Sequence, residues 1–164
     1  MRLGLYEPDI PQNCGTILRL CACLGIGLDI IEPCGFAFSD ARLKRAGLDY
    51  LAQADYRLHA SFNVFGQNLG GRLVLFTTKA SLPYTDFTFH PGDTLLFGSE
   101  SAGVPQNVHE KADARLRIPL LAGMRSLNVA ICAGMALGEA LRQTGNFPLQ
   151  TPTQKRDVTE KDAV

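Results

Sequence analysis

Short apolar runs alternate with helical patterns along most of this chain, and that alternation constrains its fold more than any other feature. The runs are Leu3–Tyr6, Leu28–Ile31, the β-rich Arg72–Thr77, Thr94–Phe97 and Arg115–Ile118, each short enough for a strand and closed by Gly, Pro or polar residues. After the first run, Glu7-Pro8 opens a polar loop, and Asn13 is the expected cap of a helix. In that helix Ile17, Leu20, Cys21 and Leu24 keep the i, i+3, i+4, i+7 spacing of a buried stripe, with Gly25 or Gly27 to close it. Asp40 is expected to cap a short basic helix over Ala41–Ala46, and Ser61 another over Ser61–Asn68 that ends at Gly70-Gly71. The final helix is expected over Leu127–Thr144. Strand and helix patterns interleaved over about 145 residues predict an α/β fold, a mainly parallel sheet with helices on both faces.

At 164 residues and 46% hydrophobic content, the chain suits a single domain with a real core, here residues 1–146. From residue 147 the sequence is polar and proline-bearing, and it reads as a mobile tail. Lys and Arg together number 16, as do Asp and Glu, so any nucleic-acid contact must come from a local patch rather than from net charge. Cysteines at 14, 21, 23, 34 and 132 are odd in number and lack C-x-x-C spacing, which argues against a disulfide framework or a zinc site. The expectation is a protein of the reducing cytoplasm, with no metal. The N-terminal MRLGLYEPD is too short an apolar run for a signal peptide or a membrane span.

Two familiar motifs fail. Gly25-Ile26-Gly27 follows a helix and precedes a strand, the reverse of a dinucleotide fingerprint, so it reads as a helix-ending turn. Ser99-Glu100-Ser101-Ala102-Gly103 approaches a hydrolase nucleophile elbow. The sole later histidine is His109, however, and no acid lies between it and Ser101, so the triad cannot be assembled in the required order. His59 and His90 are isolated and read as surface or core residues.

Three segments carry possible chemistry. In the first, Asn13-Cys14-Gly15 leads to Arg19, which at about 100° per residue lies about 200° from Ile17 and faces out of the core. No helical neighbour of Arg19 is acidic, so the guanidinium is open to a phosphate or ribose, to a distant acid or to solvent. The second, Leu96 to Pro105, places two glycines among small residues at a strand's carboxyl end, where backbone can approach a nucleoside and offer amide donors; an ordinary tight turn has the same composition. Its one charge, Glu100, can bind an amine, orient a hydroxyl or cap the helix that Pro105 helps to start. The third runs from Ile118-Pro119-Leu120 through Met124-Arg125-Ser126-Leu127-Asn128 into a helix uncharged from Val129 to Gly138. Ser126 or Asn128 can cap it. A helix apolar all round requires burial on all sides, against its own sheet and a partner subunit or wholly within one core.

In this order, N-x-G-x-x-x-R, F-G-S-E-S-A-G-V-P and I-P-L…R-S-L-N-V-A resemble the three motifs of the SPOUT methyltransferases. Within them the chain is most similar to small tRNA 2′-O-methyltransferases of the wobble nucleotide, through LYEPDIPQNCGTILRLCACLG, IIEPCGF, RLKRAGLDY and LFTTK. The resemblance spans about residues 2–146. It implies a C-terminal deep trefoil knot, a rare exception to un-knotted chains, a homodimer, and S-adenosylmethionine bound by Phe76, Gly98, Ile118, Ser126 and Leu127. It implies that Arg19 assists attack of a ribose 2′-OH on the sulfonium methyl. A guanidinium donates rather than accepts protons, so stabilising the alkoxide and fixing a phosphate is its better physical role. Asn13 is implied to position the nucleotide or Arg19, while Arg125 and the cluster Arg42, Lys44 and Arg45 are candidates to track the anticodon backbone of tRNA. Relatives often carry a basic residue at Ala102, a second Asn at Ile131 and an aromatic at Gly138. The alternatives are 2′-O-methylation of rRNA or another tRNA position, and a non-catalytic RNA- or nucleoside-binding module.

Overall fold

The structure, a computed structural model, describes residues 1–37 and 54–148. The helix expected over Ala41–Ala46, with Arg42, Lys44 and Arg45, and the tail beyond residue 148 lie outside the described residues. The elements run β1 (Arg2–Tyr6), α1 (Pro11–Leu24), β2 (Gly27–Ile31), β3 (Tyr56–His59), α2 (Phe62–Gln67), β4 (Leu73–Phe76) and β5 (Leu82–Pro83). A 3-10 turn, β6 (Thr94–Phe97), α3 (Gln106–Lys111), β7 (Ala114–Arg117) and α4 (Val129–Thr144) follow.

The strands form one seven-stranded sheet, ordered β3-β2-β1-β6-β4-β7-β5, with every pairing parallel. β4 and β6 are buried at all their positions, as interior strands covered on both faces must be. On one face Leu3, Leu5, Leu28, Ile30, Val74 and Leu95 pack with Ile17, Leu18 and Cys21 of α1 and Ala133, Leu137 and Leu141 of α4. On the other, Leu73, Leu75 and Leu96 meet Phe62 and Phe65 of α2 and Val108 of α3. Helices thus cover both faces, as the alternating pattern predicts.

Several local expectations change. Asn13 is not the cap of α1: Ile10 holds that position without a side-chain bond, Pro11 supplies the preset φ of a first turn, and Asn13 lies buried inside the helix. The buried stripe of α1 comprises Cys14, Ile17, Leu18 and Cys21, while Leu20 and Leu24 are half-buried. α4 starts at Val129, capped by Asn128, whose side chain accepts from the amides of Ala130 and Ile131. Its outer side is uncovered within one chain, with Ile131 56% and Met135 39% exposed. Strand β3 has no strong sequence signal: it is four residues long, at the sheet's edge, and mostly unburied.

A buried acid ties the β3 end of the sheet together. Asp29 on β2 accepts from Arg2 Nε at 2.6 Å and lies 2.8 Å from His59 Nε2, while Arg2 Nη1 also donates to Asp55 at 2.7 Å. This joins β1, β2 and β3 by side chains as well as by their backbone ladders. Asp29→Ala leaves the buried His59 imidazole without its partner and Arg2 held by Asp55 alone among acids, and the expected loss of unfolding free energy is about 3 kcal/mol. Urea unfolding of the variant beside the parent protein measures it.

Candidate functional site

The loops leaving β4, β6 and β7, together with the start of α4, enclose a crevice of about 560 Å³. That lies within the roughly 300–1,000 Å³ of small-molecule sites. Phe76, Gly98, Ile118, Ser126 and Leu127 all line it, as do Asn13 and Arg125. Arg19 stands on the exposed face of α1, as its helical angle predicts, and is not among the lining residues. Phe76 stacks on Phe97 with ring centroids 5.0 Å apart, giving the crevice a rigid apolar floor.

The glycine turn after β6 is braced internally. Ser99 and Gly103 exchange backbone hydrogen bonds of 3.0 and 2.9 Å, with Gly103 in the left-handed region at φ +70°. A Cβ on Gly98 would lie 2.5 Å from the Gly103 carbonyl carbon, so only glycine permits this closure. The Ala102 amide donates to Ser99 Oγ at 3.2 Å, and the Ser101 amide donates to Asp9 at 3.2 Å. The Ser101 hydroxyl donates to the same Asp9 oxygen. The amides of residues 99, 101, 102 and 103 are therefore engaged within the protein, contrary to the expectation that the turn holds them ready for a ligand.

A directed chain of hydrogen bonds crosses the mouth of the crevice. The Asn128 carbonyl oxygen is used by the α4 amides, so its Nδ2 donates, to Asn13 Oδ1 at 2.8 Å. Asn13 Nδ2 then donates to Glu100 Oε1 at 2.8 Å. Glu100 Oε2 accepts from the Asp9 amide at 3.1 Å. Glu100 is consequently not a helix cap, and α3 begins after Pro105 with no side-chain cap.

The Asp9 and Glu100 carboxyls interact and are driven apart in acidity. The hydrogen bond with Glu100, then those from Ser101, hold Asp9 down at about 2. Burial, then the Asp9 contact, pushes Glu100 up from the ordinary carboxylate range. With the proton on Glu100, Asp9 Oδ1 gains a donor; it is otherwise buried with no hydrogen-bond partner among the described residues.

His109 is a lining residue that the sequence presents only as a failed triad member. Its side chain sits one turn into α3, buried yet on the crevice wall. Burial, then the charges of Lys79 and Arg115, lower its pKa. A helix leaving a glycine turn at a strand's carboxyl end is the signal that could have drawn attention to it. The other histidines match the sequence reading, His59 in the core and His90 exposed. Burial pushes the Cys14 thiol up to about 12, so it is no ready nucleophile.

A parallel sheet with a ligand-sized crevice outside the carboxyl ends of its strands is the arrangement of α/β proteins that bind nucleotides and nucleosides, and fold and site place this chain in that class. The chain belongs to the SpoU rRNA Methylase family, whose profile matches residues 1–138. It is 63% identical over 146 residues to a tRNA (cytidine(34)-2′-O)-methyltransferase of Beijerinckia indica, covering 87% of this chain and 91% of that one. A solved structure concerned with the 2-OH methylation of C/U34 on tRNA superposes with a TM-score of 0.82 at 44% identity, over 87% of this chain and 94% of the other. The SpoU methyltransferase AviRb of Streptomyces viridochromogenes, in complex with AdoMet, does so with a TM-score of 0.76 at 26% identity, over 87% of this chain and 60% of the other. The resemblance read from the three motifs is borne out.

The opposed acidities of the two carboxyls make a sharp expectation. A raised Glu100 stabilises the fold below its ordinary range and ceases to do so as pH rises through its folded value; a depressed Asp9 stabilises above its ordinary range and fails as pH falls toward about 2. Glu100→Gln keeps an acceptor for Asn13 and brings a permanent donor to the Asp9 carboxylate, but its amide nitrogen cannot accept from the Asp9 backbone N–H. Its stability is expected about 1 kcal/mol below that of the parent, without the loss on raising pH from mildly acid to neutral. Glu100→Ala leaves both partners unpaired and is expected to cost about 2 kcal/mol. Urea unfolding of both variants across that pH range is the measurement.

Proposed function

We infer that this chain is an S-adenosylmethionine-dependent enzyme that methylates the ribose 2′-OH of the tRNA wobble nucleotide, cytidine or uridine 34. The 63% identity to a C34 enzyme, over 87% of this chain, carries the reading. The cofactor, when bound, supplies an electrophilic sulfonium methyl. The residues present fit such a molecule: Phe76, Ile118 and Leu127 offer apolar walls for a nucleoside, and Ser126 and Arg125 are polar partners at the rim.

The protein's task is then alignment and charge control. Asn128 is bonded to Asn13 and Asn13 to Glu100, so in this reading the three side chains hold the site's shape. Arg19 stabilises the developing alkoxide and fixes the neighbouring phosphate rather than taking the proton. Arg125, with Arg42, Lys44 and Arg45, follows the anticodon backbone. Methyl transfer to total tRNA followed by nucleoside mapping tests the assignment, with label expected at the wobble ribose. Arg19→Ala is expected to lower transfer by about 100-fold or more with cofactor affinity unchanged. Label confined to rRNA would overturn the substrate, and none in any RNA would favour a binding module.

The C-terminal segment completes the proposal as a deep trefoil knot within one domain. Support comes from three sequence-distant loops, around residues 76–79, 98–104 and 118–129, that wall one crevice. A homodimer is supported by Ile131 and Met135, which stand four residues apart on the uncovered side of α4, and by the exposed Leu121, Met124 and Leu127 that precede the helix. No helix among the described residues is long and apolar enough to cross a membrane, and a cytoplasmic enzyme fits free cysteines and a tRNA substrate. Ile131→Asp puts a charge at the centre of that apolar side. Sedimentation is expected to find it monomeric where the parent protein is dimeric.

A further inference from the structure

We propose that His109 is a cofactor-recognition residue of this chain, hydrogen-bonding the nucleoside half of S-adenosylmethionine through a neutral imidazole. The proposal rests on the cofactor reading of the crevice and goes beyond it by assigning a group that none of the three motifs contains. His109 is 8% exposed and lines the crevice from α3. Its backbone carbonyl is bound by Arg115 Nη1 at 2.9 Å, but its ring nitrogens have no hydrogen-bond partner among the described residues. The ring is largely buried, yet its nitrogens are not among the fully buried atoms that lack a partner, so they remain reachable, and the open side of the ring is the crevice.

The surroundings decide which half of the ligand it meets. Burial and the nearby cations Lys79 and Arg115 oppose an imidazolium, so the ring stays neutral, with one donor and one acceptor nitrogen. That pairing suits the uncharged donor–acceptor edge of a purine or a ribose hydroxyl. A zwitterionic amino-acid end would instead seek full charges, and Arg125, which is not among the cations beside His109, lines the same crevice to meet its carboxylate.

Calorimetric titration with S-adenosylmethionine and with 5′-methylthioadenosine, which lacks the amino-acid end, separates these contacts. His109→Leu is expected to weaken both ligands by the same factor, about tenfold, the worth of one hydrogen bond. His109→Gln, which keeps a donor and an acceptor, is expected to recover much of the loss. The ligand-free Leu variant should be about as stable to urea as the parent, because the ring makes no hydrogen bond within the described protein that the substitution could remove. Unchanged affinity for both ligands in His109→Leu would overturn the proposal, as would a loss seen with S-adenosylmethionine but not with methylthioadenosine. If the parent protein bound neither ligand, the cofactor reading itself would fall and the proposal with it.

Discussion

The relay from Asn128 through Asn13 to Glu100 is the constraint on which the site depends. Each member has its direction forced by the one before. The oxygen of Asn128 is committed to capping α4, its amide must then donate, Asn13 can receive only through its oxygen, and the amide of Asn13 must end on an acceptor. A carboxyl oxygen meets that need, and the second carboxyl of Asp9 keeps it in place. Residues 13, 100 and 128 belong to three different parts of the chain, so one string of polar atoms fixes where the first helix, the glycine turn and the last helix meet. Buried polar strings of this kind are costly when incomplete, which makes the meeting point specific as well as stable.

Much of this arrangement is legible in the residue order. Thr94–Phe97 and Leu73–Phe76 are apolar without alternation because they lie inside a parallel sheet, and the sequence marks them plainly. The outward aspect of Arg19 follows from helical geometry alone. What escapes is whatever depends on long-range partners. Asn13 obeys the local rule for a cap, yet its side chain serves two residues far along the chain, and Pro11 starts the helix instead. The glycine turn shows its flexibility in the sequence but not that its amides satisfy one another and Asp9. Strand β3 is held by its neighbour β2 and by the contact of His59 with Asp29, neither of which leaves a periodic trace.

Electrostatics also separate local from global. The chain's net charge is zero, and part of its charge is spent inside, on Arg2 with Asp29 and on Arg72 with Asp93. The cations that remain for RNA gain from concentration on one surface rather than from their number. Pairing two copies across the outer side of α4 would double such a surface without changing the sequence. The small residues of α4 serve its inner side, where Ala133, Ala136 and Ala140 are wholly buried.

The closed turn at Gly98 to Gly103 bears on the timing of catalysis. Because its backbone bonds form during folding, this turn need not be ordered when the cofactor arrives, and that entropic cost falls on the fold rather than on the encounter. A rigid cradle of this sort holds the methylated cofactor and its demethylated product with nearly the same surface. Turnover then depends on exchange of one for the other through the open mouth of the crevice, and the speed of the enzyme becomes a matter of release as much as of bond-making.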